Sequence, residues 1–479
     1  MSEPHASVRP LRARSSPTCD RAATIAPLAK DAPARAGARP VSGAGLFLQP
    51  FMQMPFYLIR MTERYGSYLR FRLWPLNDVF YAGTPAAVEQ VLVTRAASFV
   101  KGRGTLRLKR LLGQGLLTIE QPEHLPNRRL VQPAFHRRRL EEYGAVMAER
   151  SRRRAMSWQP GQIVDVEREM NRLALEIVSQ TLFGVDLDDQ TETIGRALDD
   201  GMSTFPALMI PFSELADGLR ALPHNRKITS ALTSLYGVVD RLVRDHSDGV
   251  DRGDVLSMLL ASRDDDGRPM PHEQVRDEAM TILLAGHETT ANALTWAFYL
   301  LQRHPAIEAT LHAHLSDVLG DRDPGFDDVP RLTYVRAVFA ETMRLYPPAW
   351  VTARTATEDV VIDGQLIPRG AQAIVSQYVM HRDPQWWPEP ERFDPGRFMD
   401  DHDRPKFAYF PFGGGTRLCI GESFAWTEGV LALATIAHRV RLARVDDGEV
   451  RLAPLVTLRP RDPVRARVVA RERAAAVLA

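Results

Sequence analysis

The most regular pattern along the chain is a helical one between residues 273 and 305. Apolar and small side chains recur there every three or four positions, at 275, 279, 282, 283, 286, 290, 293, 294, 297 and 301. This spacing keeps to the 3.6-residue period of an α-helix. It predicts one helix of about 30 residues, long enough to cross the whole protein, with a candidate site near its midpoint.

Helical patterns dominate the rest of the chain, and strand-like patches are few. Amphipathic spacing predicts further helices at 56–66, 85–93, 166–184 and 423–440. Short β-branched and aromatic runs predict strands at 68–74, 79–83, on both sides of the Asp363-Gly364 turn, and at 454–460 and 464–471. The predicted fold class is therefore mainly α with small β-sheets (α+β), without internal repeats.

The first 40 residues differ from the rest in composition. They are rich in Ala, Arg and Pro and poor in aromatic residues, so they cannot bury enough apolar surface to offset the entropy of ordering. We predict a disordered arm over residues 1–40 and a single domain over residues 41–479. An Arg-rich leader also resembles an organellar transit peptide, although the acids Glu3, Asp20 and Asp31 favour the plain arm.

Composition excludes several classes of protein. Segment 46–59 is apolar, but it contains Pro50 and Pro55 and is shorter than the roughly 20 residues of a membrane span, so no transmembrane anchor is predicted. A formal net charge of +2 over 479 residues argues against a nucleic-acid partner. The two cysteines, Cys19 and Cys419, are too widely separated for a disulfide framework, a cysteine-based zinc site or a four-cysteine iron–sulfur cluster.

Cys419 lies in the segment FPFGGGTRLCIGESFAW, residues 410–426. Gly413 to Gly415 permit positive φ angles and close approach of the backbone to a bulky ligand. Cys419 is predicted near a helix N terminus, where free N–H groups favour an anionic sulfur and lower the thiol pKa. Gly421 leaves room for the helix to press against a ligand, and Arg417 would supply a cation for an anionic group beside that ligand.

Several interpretations of this cysteine segment compete. A phosphate-binding loop would need Lys-Ser/Thr after the glycines, which is missing here. A nucleophilic cysteine needs a positioned base, which the sequence does not identify. A thiolate ligand to haem iron needs one axial cysteine only and agrees with each of these residues. A glycine-rich loop around a structural cysteine remains the alternative without chemistry.

The segment resembles the haem-binding signature of the cytochrome P-450 family, F-x-x-G-x-R-x-C-x-G. The matching residues are Phe412, Gly415, Arg417, Cys419 and Gly421. The resemblance runs from about residue 44 to the C terminus and implies the cytochrome P-450 fold, with the long helix above the haem. It also implies haem b as cofactor, with the Cys419 thiolate as the axial ligand that favours O–O cleavage.

The long helix carries a second resemblance at its midpoint. Ala285-Gly286-His287-Glu288-Thr289-Thr290 is similar to the family's oxygen-activation motif, A-G-x-[DE]-T-[TS]. The resemblance implies that Ala285 faces the haem and that Thr289 and Glu288 carry protons to bound dioxygen. A mid-helix threonine that only bonds a carbonyl one turn back is the structural alternative for Thr289.

Glu341 and Arg344 are three residues apart, so they share a helix face and can pair. They resemble the family's structural E-x-x-R pair, and Arg392 in PERF is the predicted third member. We assign these residues to the support of the haem loop, without a chemical role.

The resemblance also implies cations for the two haem propionates. His124 and Arg128 lie at i, i+4 in a segment similar to the family's haem-contacting helix, from which Pro126 departs. Arg354 and Arg417 match further propionate partners. A solvated surface charge is the alternative for any single arginine.

By resemblance, the enzyme is a monooxygenase of soluble bacterial type, expected in the cytoplasm, with organellar import as the alternative. It is expected to insert one oxygen atom from O2 into a lipophilic small molecule of terpenoid, carotenoid, fatty-acid or polyketide-like type. Candidate pocket segments are 103–118, 205–212, 285–289, 350–352 and 455–458. Because no flavin or nicotinamide fingerprint occurs, a ferredoxin or flavodoxin with its reductase is the expected electron donor.

The basic run at 136–140, with Arg128 and Arg129, is a candidate docking patch for that donor, or simply a solvated helix face. Two rival functions remain. One is a haem-thiolate peroxygenase, isomerase or dehydratase that works without redox partners. The other is a non-catalytic haem sensor.

Overall fold

The computed structural model describes residues 39–471 apart from 43–50, 73–76, 187–190, 211–212, 218, 220–221, 247, 249, 251, 264–265 and 401–402. The arm predicted for residues 1–40 lies outside the described residues, except for Arg39 and Pro40, which open a strand. This strand, Arg39–Ser42, spans the predicted boundary at 41. Among the described helices, none is both long enough and apolar enough for a membrane span.

Helices form most of the structure, as predicted. The longer ones are Met54–Tyr65, His124–Val131, Arg137–Ser157, Val166–Phe183, Thr191–Ser203, Pro223–Asp245, His272–Arg303, Pro305–Leu319, Thr333–Leu345 and Glu422–Arg439. The shorter ones are Pro85–Glu89, Arg103–Arg107, Lys109–Leu112, Phe205–Met209, Val255–Ala261 and Gln377–Met380. The predicted helices at 56–66, 85–93, 166–184 and 423–440 are each present, although the second one continues as a π turn, Gln90–Thr94.

The strands form small sheets at the edge of the helical body. Within the described part of the chain, the largest sheet has six strands, in the order Arg39–Ser42, Tyr68–Arg72, Val79–Ala82, Gln372–Val375, Thr352–Ala356 and Phe99–Lys101. The smaller sheets contain Val440–Arg444, Arg465–Ala470 and Ile163–Asp165; Leu452–Pro454 and Leu458–Pro460; and Val360–Ile362 and Gln365–Ile367. The last hairpin turns at Asp363 and Gly364, whose φ angles of +45° and +81° suit the tight turn predicted there.

The helix His272–Arg303, here the long helix, passes through the middle of the main apolar core. It ends at Arg303, because Pro305 disfavours helical backbone at His304, the residue before the proline. Its side chains are buried on nearly every face, as expected for a helix surrounded by others. The helix Val166–Phe183 packs closely along it, since a Cβ at Gly286 would lie 3.0 Å from Val178.

Glu341 and Arg344 form a fully buried pair on the helix Thr333–Leu345. Arg344 Nε and Nη2 donate to the two carboxylate oxygens at 2.6 and 2.8 Å. The remaining guanidinium hydrogens go to backbone carbonyls, those of His381 at 2.9 Å, Pro390 at 2.7 Å and Arg392 at 3.0 Å. The pair therefore ties a helix to the irregular segment that leads into the cysteine loop.

The prediction that the Arg392 side chain completes this pair is wrong. Its carbonyl takes part, but its guanidinium points outward, 60% exposed, and binds Glu389 at 3.0 Å. The second arginine near Glu341 is Arg397, at 3.5 Å and 10% exposed. Arg392 lies within PERF and Arg397 lies four residues after it, and only the path of the backbone decides which one turns inward.

Arg344→Met is expected to lower the free energy of unfolding by about 3–5 kcal/mol, because it leaves a carboxylate buried without its cation. Denaturant unfolding followed by circular dichroism measures this. Arg392→Met is the matched control, expected to change stability by no more than about 0.5 kcal/mol because its side chain is exposed. Equal losses in the two variants would contradict the assignment.

Candidate haem site

The cysteine loop, residues 410–421, is held in shape by its own backbone. Gly413 and Gly415 have φ angles of +76° and +67°, in the region that favours glycine. A Cβ at Gly415 would lie 2.1 Å from the Leu92 carbonyl oxygen, so glycine is required there for packing as well. The Cys419 N–H donates to the Phe412 carbonyl at 3.0 Å, while the Phe412 ring packs on Trp426. The helix begins at Glu422, close to its predicted start.

Gly421 has an ordinary backbone conformation, with φ of −89°. A Cβ added there would meet only Phe135, at 3.6 Å, which is a normal contact. The described protein therefore gives no steric reason for a glycine at this position. Space for a ligand beside the loop, as the sequence predicts, is the remaining reason.

Cys419 lies deep in the protein, yet its side chain is exposed. Burial raises the pKa of the thiol to about 11, while the Gly421 N–H and the Arg128 guanidinium lower it. The pKa reduction predicted from the helix N terminus is thus present as a contribution but is outweighed by burial. A deep sulfur with accessible surface lines an internal space, and without a metal it is a neutral thiol.

Four of the predicted propionate partners lie in one basic cluster, made up of Lys101, His124, Arg128, Arg354 and Arg417. Burial, together with the charge of the neighbouring Arg417, lowers the pKa of Arg354 to about 10. Burial also lowers the pKa of His124 to about 3, with the charges of Arg417, Lys101 and Arg128 acting in the same direction. These groups repel one another, so the cluster favours a bound anion.

The carboxylate of Glu120 compensates part of the positive charge of the cluster. Its Oε2 accepts from Arg417 at 2.9 Å and its Oε1 from the Lys101 N–H at 2.5 Å. Arg128 donates to the Leu418 carbonyl at 2.8 Å, which places the cluster directly beside the cysteine loop. His124 is buried, and its Nδ1 has no hydrogen-bond partner among the described residues.

Lys101 is the member of the cluster that sequence reasoning missed. It is 5% exposed, and burial lowers its pKa to about 7, with Arg417 adding to the effect. Its strand pairs with the strand of Arg354, and the two residues are register partners. The sequence shows a lysine at the end of a short apolar run, but only strand pairing places it beside Arg354.

The midpoint of the long helix faces an open space. Ala285 is exposed although Leu284 and His287 beside it are buried. The Thr289 hydroxyl donates to the Ala285 carbonyl at 2.6 Å, the arrangement of the structural alternative, and the Thr289 side chain is half-buried. The hydroxyl therefore has a carbonyl acceptor and also lies beside the exposed Ala285.

Glu288 is not brought together with Thr289. Its Oε1 accepts from the Thr457 hydroxyl at 2.5 Å and lies 3.6 Å from Arg459 Nε. Burial raises the pKa of Glu288, while Arg459 and Thr457 act against that rise. Thr457 in turn accepts from Asn292 at 3.1 Å. Thr457 and Arg459 come from the C-terminal hairpin, some 170 residues further along the chain, where no local pattern marks them as partners.

Arg354→Met is expected to have opposite effects on the haem-free and haem-loaded protein. Without haem, the melting temperature should rise, because one of several mutually repelling buried cations is removed. With haem, the ratio of bound haem to protein should fall, because a propionate partner is lost. Calorimetry of the haem-free protein and pigment quantification measure the two effects. The exposed Arg129→Met should change neither, and a lower haem-free melting temperature for Arg354→Met would contradict the expected repulsion.

Comparison with known proteins gives the same assignment. The family model described as Cytochrome P450 matches residues 33–463. Cyclooctatin synthase of Streptomyces melanosporofaciens is 38% identical, over 88% of this chain and 92% of its own length. Cyclooctat-9-en-7-ol 5-monooxygenase of the same organism is 34% identical, over 82% and 86% of the two chains. Pentalenene oxygenase of Streptomyces avermitilis is 33% identical, over 91% and 96%.

These matches confirm the fold class and the monooxygenase class predicted from the sequence. They also agree with the geometry, in which a deep cysteine, a basic cluster and the open midpoint of a buried helix lie in one domain. The chain belongs to the cytochrome P450 family.

Proposed function

We propose that this protein is a haem-thiolate monooxygenase that inserts one atom of O2 into a lipophilic small molecule of terpenoid type. The observation that supports it most is the pairing of an accessible thiol deep in the protein with a basic cluster that Glu120 only partly compensates. The thiolate would coordinate the iron, and the basic cluster would bind the two haem propionates. One cofactor would thus supply both a metal ion for the thiolate and anionic groups for the basic cluster.

The residues present fit haem b. Cys419 would hold the iron as a thiolate, which metal coordination favours against the cost of burial. The Gly421 N–H and Arg128 would stabilise the same sulfur. Arg128, Arg354 and Arg417 would hold the propionates, and the unpartnered Nδ1 of His124 would donate to one of them. When bound, a cysteine-ligated haem supplies O–O cleavage and oxygen transfer.

Thr289 would keep a proton at its hydroxyl oxygen beside Ala285. In this structure its hydrogen is directed to the Ala285 carbonyl, so the hydroxyl must turn to donate elsewhere. Glu288 would resupply that proton, because burial raises the pKa of its carboxyl and so makes it a better proton carrier. Since its Oε1 accepts from Thr457, this resupply requires the Glu288 side chain to leave the C-terminal hairpin.

The substrate class rests on the relatives. Two of them are named for pentalenene and cyclooctat-9-en-7-ol, by their suffixes an unsaturated hydrocarbon and an unsaturated alcohol. Such molecules offer few hydrogen-bonding groups, which suits a pocket built from the predicted apolar segments. A substrate of this kind is positioned mainly by the shape of apolar walls.

A separate acidic electron donor, a ferredoxin or flavodoxin with its reductase, would dock on the basic surface near the cysteine loop. Arg137, Arg138 and Arg139 occupy the first turn of the helix Arg137–Ser157. Cations are unfavourable at that end of a helix dipole, so they cost stability in the isolated protein. Arg137 is 87% exposed and its pairing with Glu141, at 3.5 Å, is solvent-exposed as well, so an acidic partner could compete for it.

Turnover under 18O2 tests the proposal. With a ferredoxin and its reductase, pentalenene or cyclooctat-9-en-7-ol should yield a product that contains one 18O atom by mass spectrometry. The reduced carbon monoxide complex should show a strongly red-shifted Soret band, which Cys419→Ser should lose. Product formed only with added peroxide would indicate a peroxygenase, and a histidine-type carbonyl spectrum would contradict the thiolate.

Thr289→Ala is expected to lower the amount of product formed per electron consumed by about 10- to 100-fold, because the positioned proton is lost. Thr289→Ser keeps the hydroxyl and should retain most of the coupling. Product and NADPH consumption are measured together in the same reaction. If both variants couple like the parent protein, Thr289 serves only as the helix back-bond.

A further inference from the structure

Residues 113–120, GQGLLTIE, form a strap that lies directly on the long helix. A Cβ at Gly115 would be 2.0 Å from Thr281 Oγ1 and 2.5 Å from the Asp277 carbonyl oxygen. Gly113 has a φ of +57°, and a Cβ added there would lie 2.0 Å from Asp277 Oδ2. Thr281 is one helical turn before Ala285, so the strap crosses the helix beside the open midpoint.

Acidic side chains of the long helix hold the N–H groups of the strap. Asp277 Oδ2 accepts from the Gln114 N–H at 2.7 Å, and Glu278 Oε2 accepts from the Leu116 N–H at 2.8 Å. Glu278 Oε1 also accepts from Asn127 at 3.0 Å and Gln274 at 2.9 Å. Glu278 is thus fully buried among neutral donors.

A buried carboxyl of this kind is costly for the fold. Burial raises the pKa of Glu278 to about 7, and only the N–H donors oppose that rise. An apolar side chain of similar size would avoid the desolvation cost entirely. The position of Glu278 is therefore better explained by what it holds than by its contribution to stability.

Lys101 holds the carbonyl groups of the same strap from the other side. Its Nζ donates to Leu117 and Ile119 at 2.6 Å each, and to Leu116 at 3.4 Å. An ammonium group has three N–H donors, so each is engaged by the strap. Lys101 consequently adds positive charge to the basic cluster without a hydrogen left over for a propionate.

The far end of the strap reaches the cysteine loop. Arg417 donates to the Ile119 carbonyl and to Glu120, both at 2.9 Å. Between its anchors, Leu117 is 40% exposed, whereas Leu116 and Thr118 are 8% and 0% exposed. A leucine left accessible between buried neighbours is available to line a pocket.

We propose that Glu278 is a positioning residue that fixes the strap against the long helix and thereby presents Leu117 to the substrate. The identity of that substrate rests on the proposed function, but the anchoring does not. The partner of the strap at this point is an apolar molecule large enough to reach Leu117 from the haem. A bare imidazole offers fewer apolar atoms for a contact with Leu117 than its phenyl derivative does.

Hydrogen exchange of the haem-loaded protein tests the anchor without turnover. In Glu278→Leu, the amides of residues 113–118 should exchange about tenfold faster, because the Leu116 N–H loses its acceptor. In Glu278→Gln, these amides should exchange as slowly as in the parent protein, since the carboxamide oxygen can still accept a hydrogen bond from the Leu116 N–H. The exposed Glu273→Leu on the same helix is the control. Unchanged exchange in Glu278→Leu would overturn the anchoring.

Spectral titration with two azoles tests the positioning. Glu278→Leu should weaken binding of 4-phenylimidazole about tenfold relative to bare imidazole, and Glu278→Gln should return the ratio to that of the parent. Leu117→Ala should shift the same ratio of azole affinities while the amides of residues 113–118 exchange as in the parent protein. This variant also tests the proposal if Glu278→Leu fails to fold. Equal losses for both azoles, or no shift in Leu117→Ala, would overturn the proposal. Failure of the 18O2 experiment alone would leave it standing.

Discussion

The buried pair of Glu341 and Arg344 is the interaction on which the rest of the site depends. Arg344 donates to the His381 carbonyl, and His381 Nε2 accepts from the N–H of Phe410, the first residue of the cysteine loop. Tyr409, one residue earlier, donates to the Ala340 carbonyl of the same helix at 2.9 Å. A short series of hydrogen bonds thus connects one helix to the position of Cys419. Because Arg344 and Phe410 are buried, the loss of either acceptor leaves a polar group without water.

The electrostatics of the site are unfavourable in the protein alone. The thiol is held neutral by burial, and the basic cluster contains repelling cations that Glu120 only partly compensates. A protein that keeps such an arrangement loses stability unless a ligand supplies the missing charges. A haem, with its iron centre and two propionate carboxylates, would supply those charges. The stability of the fold and the retention of the cofactor are therefore coupled.

The long helix serves three different partners along its length. Asp277 and Glu278 hold the strap, Ala285 and Thr289 face the open space, and Glu288 is bonded to the C-terminal hairpin. Successive residues of a helix point about 100° apart, so neighbouring acids can serve opposite sides. A rigid helix that joins these elements keeps the strap and the open midpoint of the helix in a constant relation. It also explains why Glu288 and Thr289, adjacent in sequence, do not meet.

Much of the architecture was determined by local sequence pattern. The helix predicted at 273–305 is found at His272–Arg303, and the turn at Asp363-Gly364 has the φ angles that its residues favour. Hydrophobic period, glycine and proline act over a few residues, so the sequence displays them directly. Cys419, with its glycines, was identified for the same reason. Tertiary structure alone decided that Arg397 and not Arg392 turns toward Glu341, that burial raises the Cys419 pKa, and that Lys101 and Glu278 hold the strap. Those outcomes depend on burial and on partners far apart along the chain, which no local pattern encodes.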